Sequence, residues 1–268
     1  MTRKTTSTSP EKPTTVAVVA IGNELLSGKV RDENLHYLAG ELRALGVRLG
    51  LALLVPDEVE PIVEALAYAR ARADLVLTSG GVGPTHDDIT LGAVAHAFGV
   101  PLEREPRLAR AIEDYYGASV NEDVLSMADM PQGAELLQPA PFFLPIVRVE
   151  NVYAFPGDPQ ALRLLFDAWK DTLRQQPWHL VRFELDADEG GLAPLLRDIQ
   201  AGHTGVDVGS YPRFDAGAPY RVLVTLEGKQ ADQVEGARDA LRARIVSELG
   251  EATLLKVETA PGPDPRGE

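Results

Sequence analysis

The sequence predicts an α/β protein: a mostly parallel sheet, the middle of three layers, followed by a smaller α+β domain. Short continuous runs rich in Val, Ile and Leu, VAVVAI at 16–21 and DLVLT at 74–78, have the pattern of strands covered on both faces. Between and after them, apolar residues recur at spacings of three and four, as in helices that cover such a sheet. Beyond Gln175-Gln176-Pro177 the order of elements changes, and a length of 268 residues, at about 150 per domain, accommodates one large or two modest domains.

The elements follow in order. Residues 16–21 form a central strand. Asp32 can cap a helix in which Leu35, Leu38, Leu42 and Leu45 share one face, and Gly46 offers its stop. A second strand covers 47–55, Pro56-Asp57 turns, and Ile62, Ala65, Leu66 and Ala69 stripe a second helix before the strand at 74–78. This alternation implies βαβ units with parallel pairing and right-handed crossovers. A short helix is expected at 93–98, surface helices at 107–116 and 122–128, and two strands at 146–150 and 152–155 around Asn151. A helix over 159–174, with Leu162, Leu165, Phe166, Trp169 and Leu173 on one side, closes a first domain of residues 16–176.

The second domain, 178–257, reads as strand 180–185, helix 192–200, strands 206–210 and 220–226, helix 231–249 and strand 253–257. That order, β-α-β-β-α-β, is the split βαβ or ferredoxin-like arrangement. The segments 1–15 and 258–268 hold too little apolar surface to offset their ordering entropy and are expected to be disordered tails.

Composition removes several function classes. The formal charge of −14 repels nucleic-acid backbones and anionic lipid, so neither nucleic acid nor membrane is an expected partner. With no cysteine, disulfides, thiolate zinc sites and cysteine nucleophiles are excluded. There is no signal-type apolar run at the start, and no stretch nears the ~18 apolar residues of a membrane span. A soluble, cytoplasmic protein is the expectation.

The strongest chemical signal is SGGVGPTHDD at 79–88, after the DLVLT strand and before a helix. Gly80, Gly81 and Gly83 leave backbone N–H groups open to an anion, phosphate above all. No Lys-Ser/Thr pair follows, so it is not a P-loop, and the spacing is not G-x-G-x-x-G. Thr85, Asp87 and Asp88 add the hard oxygen ligands of a divalent cation that also holds phosphate. The competing explanation is that Asp88 caps the next helix and the glycines make a tight turn.

A second candidate is GNELLSG at 22–28, at the end of the first strand, where open α/β sheets place ligands. It supplies Gly22, Asn23, Ser27 and the acid Glu24; the competing explanation is a polar loop whose leucines pack inward. The third, FPGDP at 155–159, holds Pro156, Gly157, the N-cap candidate Asp158, and Pro159 suited to a first helical position. Capping accounts for most of it unless the three loops converge. His86 could assist as a base or polarise a phosphate, but a lone loop histidine is more often exposed; Asp57-Glu58, His203 and the GSYP run at 209–212 could reach a site from neighbouring loops, but turns explain each more simply.

These loops, in this order, resemble the MoCF-binding, or molybdopterin-binding-like, superfamily. They are similar to the N-terminal domain of competence/damage-inducible protein A, and most of all to the molybdopterin-binding-like domain of eukaryotic FAD synthases. The likeness runs through GNELLSG, VPDEV at 55–59, GGVGPTHDDIT, PFFLPIVRVENVYAFPG at 141–157 and GSYP, over 15–226. It implies a metal-dependent nucleotide pyrophosphatase that acts on FAD or ADP-ribose, with magnesium, manganese or cobalt and with potassium as a further cation. Matching positions are Glu24, Gly80, Gly81, Gly83, Thr85, Asp87, Asp88, Pro156 and Gly157, and Gly22, Asn23, Ser79, Pro84 and Asp158 complete the set expected to touch phosphate or nucleotide. Asp87 and Asp88 are expected to hold the metal and Glu24 to orient water.

Asn23 stands where threonine is common, Asp158 where the turn is usually neutral, and a GTAPG-type segment is absent. Neither a deamidase nor an adenylyltransferase domain is recognised, so neither deamidation of nicotinamide mononucleotide nor FAD synthesis is expected. The expected partner is a small-molecule nucleotide or pterin, with a homo-oligomer left open. A non-catalytic molybdopterin or nucleotide binding module and a molybdenum-cofactor adenylyltransferase are the alternatives.

Overall fold

The computed structural model describes residues 15–215 and 217–261, and the chain divides into two compact units, Met1–Gln175 and Gln176–Glu268. The first unit runs β1 (Thr15–Ile21), α1 (Asn23–Leu26), α2 (Asn34–Ala44), β2 (Arg48–Val55), α3 (Val59–Arg70), β3 (Leu75–Ser79) and α4 (Thr90–Phe98). It continues with β4 (Leu102–Arg104), α5 (Pro106–Tyr116), α6 (Glu122–Ser126), β5 (Asp129–Pro131), β6 (Glu135–Leu137), β7 (Ile146–Val149), β8 (Val152–Phe155) and α7 (Pro159–Trp169).

Six of these strands form a sheet in the order β2-β1-β3-β8-β7-β6. The β2–β1, β1–β3 and β3–β8 pairs are parallel, and the last two pairs are antiparallel. Because β1 and β3 are covered on both faces, alternate residues feed two cores. Val16, Val18, Leu77 and Phe155 meet Leu38 and Leu42 of α2 and Leu162, Phe166 and Trp169 of α7 on one side. On the other, Ala17, Val19, Ile21 and Val76 meet Ile62 and Leu66 of α3 and Ala93 and Val94 of α4. Three layers result.

The details differ from the sequence reading where local pattern was thin. The helix expected from 93 begins at Thr90, whose buried hydroxyl donates to Gly80 O at 2.8 Å. α7 ends at Trp169 and tightens into a 3₁₀ turn over Lys170–Leu173, where Thr172 Oγ1 donates to Trp169 O at 2.9 Å. β4 and β5, a separate two-stranded sheet, are three residues each, too short to show a period.

The second unit runs β9 (His179–Leu185), α8 (Glu189–Gly202), β10 (Val206–Pro212), β11 (Val222–Gly228), α9 (Ala231–Leu249) and β12 (Leu254–Pro261). Its antiparallel sheet has the order β10-β11-β9-β12. Phe183, Leu185, Val224 and Leu226 pack against Leu192, Leu196 and Ile199 of α8 and Val234, Leu241 and Ile245 of α9. β10 is an edge strand, and Gln200 of α8 brackets it: its Nε2 donates to Val206 O at 2.7 Å and its Oε1 accepts from Val208 N at 2.9 Å.

Gly209-Ser210-Tyr211-Pro212, read as a turn, is the second half of β10, paired from Gly209↔Thr225 to Pro212↔Val222. Its proline is tolerated because it ends a strand at the edge of the sheet. The tails expected at 1–15 and 258–268 lie outside the described residues except at their inner ends. Thr15 opens β1, and β12 extends the β9 ladder through Glu258↔Arg182 to Pro261↔His179, since main-chain pairing carries an edge strand without apolar burial. Among the described residues no helix is long and apolar enough to cross a membrane.

The two-sided core of the first unit lies wholly within residues 16–173, so a chain of residues 1–175 is expected to melt cooperatively, as a self-sufficient domain does. Circular dichroism through a thermal ramp checks this, and a gradual melt would show that the core is incomplete.

Candidate functional site

Parallel pairing carries the C-terminal ends of β1, β3 and β8 to one edge of the sheet, and the loops that follow them meet there. They border a cleft of about 280 Å³ whose lining includes Glu24, Arg31, Asn34, Asp57, Ser79, Gly80, Gly81, Gly83, Thr85, Asp87, Asp88, Gly157 and Asp158. The expected residues Gly22, Asn23, Pro84 and Pro156 are not on its wall. The first two tie the loop after β1 to the end of β2 and the turn beyond it: Gly22 N donates to Val55 O at 3.1 Å and Asn23 N to Asp57 Oδ2 at 2.7 Å.

The loops are tied at Gly80. Its φ of +110° is foreign to L side chains, its N–H donates to Phe155 O at 3.3 Å, and a Cβ there would stand 2.1 Å from Ile21 O. Gly157 packs against it so closely that its own Cβ would meet Gly80 Cα at 3.1 Å. Asn34, at the start of α2 and 7% exposed, completes the knot. Its Nδ2 donates to Ser79 Oγ at 2.9 Å and to Gly157 O at 2.8 Å, which uses both amide protons. Asn34 Oδ1 is left buried with no partner among the described residues.

Within the glycine-rich loop Asp88 does not cap α4, whose N-cap is Ile89 without a side-chain bond. Asp88 Oδ2 instead accepts from Thr85 N at 2.8 Å and Thr85 Oγ1 at 2.6 Å, closing the loop on itself over Gly83. The Thr85 hydroxyl and the Asp87 main-chain amide hold the exposed Asp87 carboxyl below the ordinary carboxylate range, so it stays ionised at neutral pH.

The first loop contains a single helical turn, α1, with no buried residue. Leu25 lines the cleft and Leu26 is 51% exposed, so its leucines do not pack inward. Asp158 does cap α7, accepting from Ala161 N at 2.8 Å, and also lines the cleft. His86 is exposed and off the cleft wall.

Sequence reasoning missed Arg31, Glu33 and Asn34, and it favoured a turn for Asp57, which does reach the cleft from a neighbouring loop. Asp32 was read as a cap, and its Oδ1 does accept from Leu35 N at 3.0 Å, but it also lines the cleft. The available signal was that this polar run, RDEN at 31–34, follows the first strand's loop and opens the next helix.

A sheet of this kind, with a ligand-sized cleft beyond its parallel strand ends, defines the class of open α/β ligand-binding domains. The chain belongs to the molybdopterin-binding domain family, whose model, described as "Probable molybdopterin binding domain", matches residues 17–175. Residues 177–251 match the model described as "FAD synthase, middle domain". A Caenorhabditis briggsae protein called "Probable FAD synthase" is 30% identical over 275 residues, 92% of this chain and 52% of its own length. The chain thus spans about half of that relative. A Pyrobaculum calidifontis protein is 33% identical over 247 residues, 87% of this chain and 94% of its own. Among solved structures, the protein CinA from Thermoplasma acidophilum, titled as of unknown function, superposes with a TM-score of 0.56 at 28% identity, over 60% of this chain and 98% of its own.

Gly80→Ala is expected to lower the free energy of unfolding by at least about 1–3 kcal/mol, the scale of backbone strain at such a φ. Denaturant titration measures it; an unchanged midpoint would mean that the approach to Ile21 O does not constrain the loop.

Proposed function

We propose that the first unit is a metal-assisted hydrolase that cleaves the phosphoanhydride bond of a dinucleotide or nucleotide-sugar diphosphate such as FAD or ADP-ribose and releases AMP. What carries the reading is the cleft itself, in which the N–H groups of a lysine-free glycine loop, two adjacent aspartates and Glu24 border one space. The relatives called FAD synthases, and the middle-domain match that follows this unit, support a flavin or adenine nucleotide as ligand. The family's description supports a pterin as well.

The donor set fits a hard divalent cation. Every candidate ligand is an oxygen, and no three His, Cys, Asp or Glu residues gather into a cage among the described residues. Magnesium is commonly held in this way, by one or two carboxylates, with substrate phosphates and water completing the octahedron. Asp87 and Asp88 would hold it. When bound, such a cation neutralises phosphoryl charge and lowers the pKa of a coordinated water.

The chain's own groups do the rest. The amides of Gly81 and Gly83 face charge that develops on the phosphoryl oxygens, as preorganised donors do in other hydrolytic sites, whereas the Gly80 amide, expected to be open as well, is spent on Phe155 O. Glu24 accepts the proton of the attacking water. As the water oxygen bonds to phosphorus, the bridging P–O bond breaks and its electrons leave with the second phosphate. Hydrolysis of FAD by this route gives AMP and FMN, and of ADP-ribose AMP and ribose 5-phosphate.

Asp87→Asn and Asp88→Asn are each expected to reduce AMP release by more than the about 10–100-fold that outer-shell partners of a metal command. The thermal midpoint should barely move for Asp87→Asn, whose side chain is exposed, and fall modestly for Asp88→Asn, which weakens the bonds from Thr85 N and Oγ1 that close the loop. Chromatography of the products from FAD and ADP-ribose, with and without chelator, reads the result. A magnesium-loaded protein that binds both dinucleotides and releases AMP from neither would leave a binding module.

A further inference from the structure

Seven carboxylates line the cleft of the first unit: Glu24, Asp32, Glu33, Asp57, Asp87, Asp88 and Asp158. Among the described residues one cation, Arg31, lines it with them. Five of the seven are already committed. Asp32, Asp57 and Asp158 accept from the main-chain N–H groups of Leu35, Asn23 and Ala161, and Asp88 is taken by Thr85. Glu33 is paired with Arg163 of α7 at 3.2 Å.

The consequence falls on Arg31. Its two acidic neighbours in sequence, Asp32 and Glu33, hold other partners, and Arg31 makes no hydrogen bond or ion pair among the described residues. An exposed arginine beside so many carboxylates would ordinarily pair with one; here the carboxylates are held elsewhere and the guanidinium remains uncommitted.

Arg31 also stands on a different segment from the aspartate pair. It lies between α1 and α2, whereas Asp87 and Asp88 lie between β3 and α4. A ligand with one phosphate can be served by the aspartate side, through a cation. A second phosphate brings further negative charge into an acidic cleft and needs a counter-charge of its own. A guanidinium supplies it with a planar fork of N–H donors that matches phosphate oxygens two at a time.

We infer that Arg31 binds the second phosphate of the ligand and makes the cleft selective for diphosphates over monophosphates. The inference rests on the reading of this cleft as a phosphoanhydride site, but its test does not depend on turnover. Calorimetric titrations of α,β-methylene-ADP and of AMP into the full chain, each with saturating magnesium, give an affinity ratio. The intact chain is expected to prefer the diphosphate analogue, and Arg31→Gln to lose about tenfold in affinity for it, the scale of a charged hydrogen bond, with AMP affinity and thermal midpoint unchanged. Arg31→Lys should keep part of the preference, because a point charge remains where the fork is lost.

A ratio unchanged in Arg31→Gln overturns the inference, and so does an intact chain that does not prefer the diphosphate. If FAD and ADP-ribose yield no AMP while the Arg31-dependent preference persists, hydrolysis falls and this assignment stands. If AMP is released and the ratio ignores Arg31, the reverse holds.

Discussion

The turn out of β3 is the constraint on which the rest of the first unit depends. Parallel register sets Ser79 beside Ala20, so the next residue must leave the sheet directly over the end of β1, against the carbonyl of Ile21. Only a residue without Cβ passes. Once it has, its N–H finds Phe155 O, its carbonyl receives the Thr90 hydroxyl, and Gly157 closes over it. Three loops far apart in sequence therefore share one backbone knot, and the positions of Asn34, Asp88 and Asp158 are set relative to it. A site assembled on main-chain contacts at strand ends is held more tightly than one hung on loop side chains alone.

Crowding carboxylates into one cleft would be costly if each were left to repel the others through low-dielectric walls. The fold offsets this by giving most of them a charge-assisted hydrogen bond from a main-chain amide, about twice as strong as a neutral one. The same bonds fix the geometry of the loops, so acids that would otherwise spread into solvent keep defined positions. Among the described residues Glu24 and Asp87 have no such anchor from another residue's main chain and Asp88 is anchored through Oδ2 alone, which leaves these three with oxygens for ligand chemistry.

Much of this was legible in the sequence because the relevant signals are local. VAVVAI announces a doubly covered strand, the leucines from 35 to 45 a one-sided helix, and Asp158-Pro159 a cap and a first turn, each from residues within a few positions of one another. The three glycine-bearing loops were found for the same reason. What stayed hidden depends on contacts across the sheet. Asn34 meets residues 45 and 123 positions away, and nothing in its neighbourhood announces that its amide will bind a loop after another strand. Arg31 looked like one charge in a polar run because its isolation is a property of its neighbours' partners. For Asp88, expected as a metal ligand, the competing explanation of a helix cap stayed open because spacing cannot distinguish an amide at a helix start from one three residues back in the loop.

Gln200 bears on behaviour outside any site. A peptide group facing off the edge of a sheet is an invitation to another chain, and β10 ends the sheet of the second unit. By laying its amide along Val206 and Val208, Gln200 imitates one residue of a neighbouring strand and occupies the donor and acceptor that such a strand would use. The edge is thereby shortened to its proline-terminated half, a strand whose last residue has no N–H to offer. A single glutamine on a helix thus takes up, along one stretch of an open flank, the main-chain groups that would otherwise face outward from an all-antiparallel sheet.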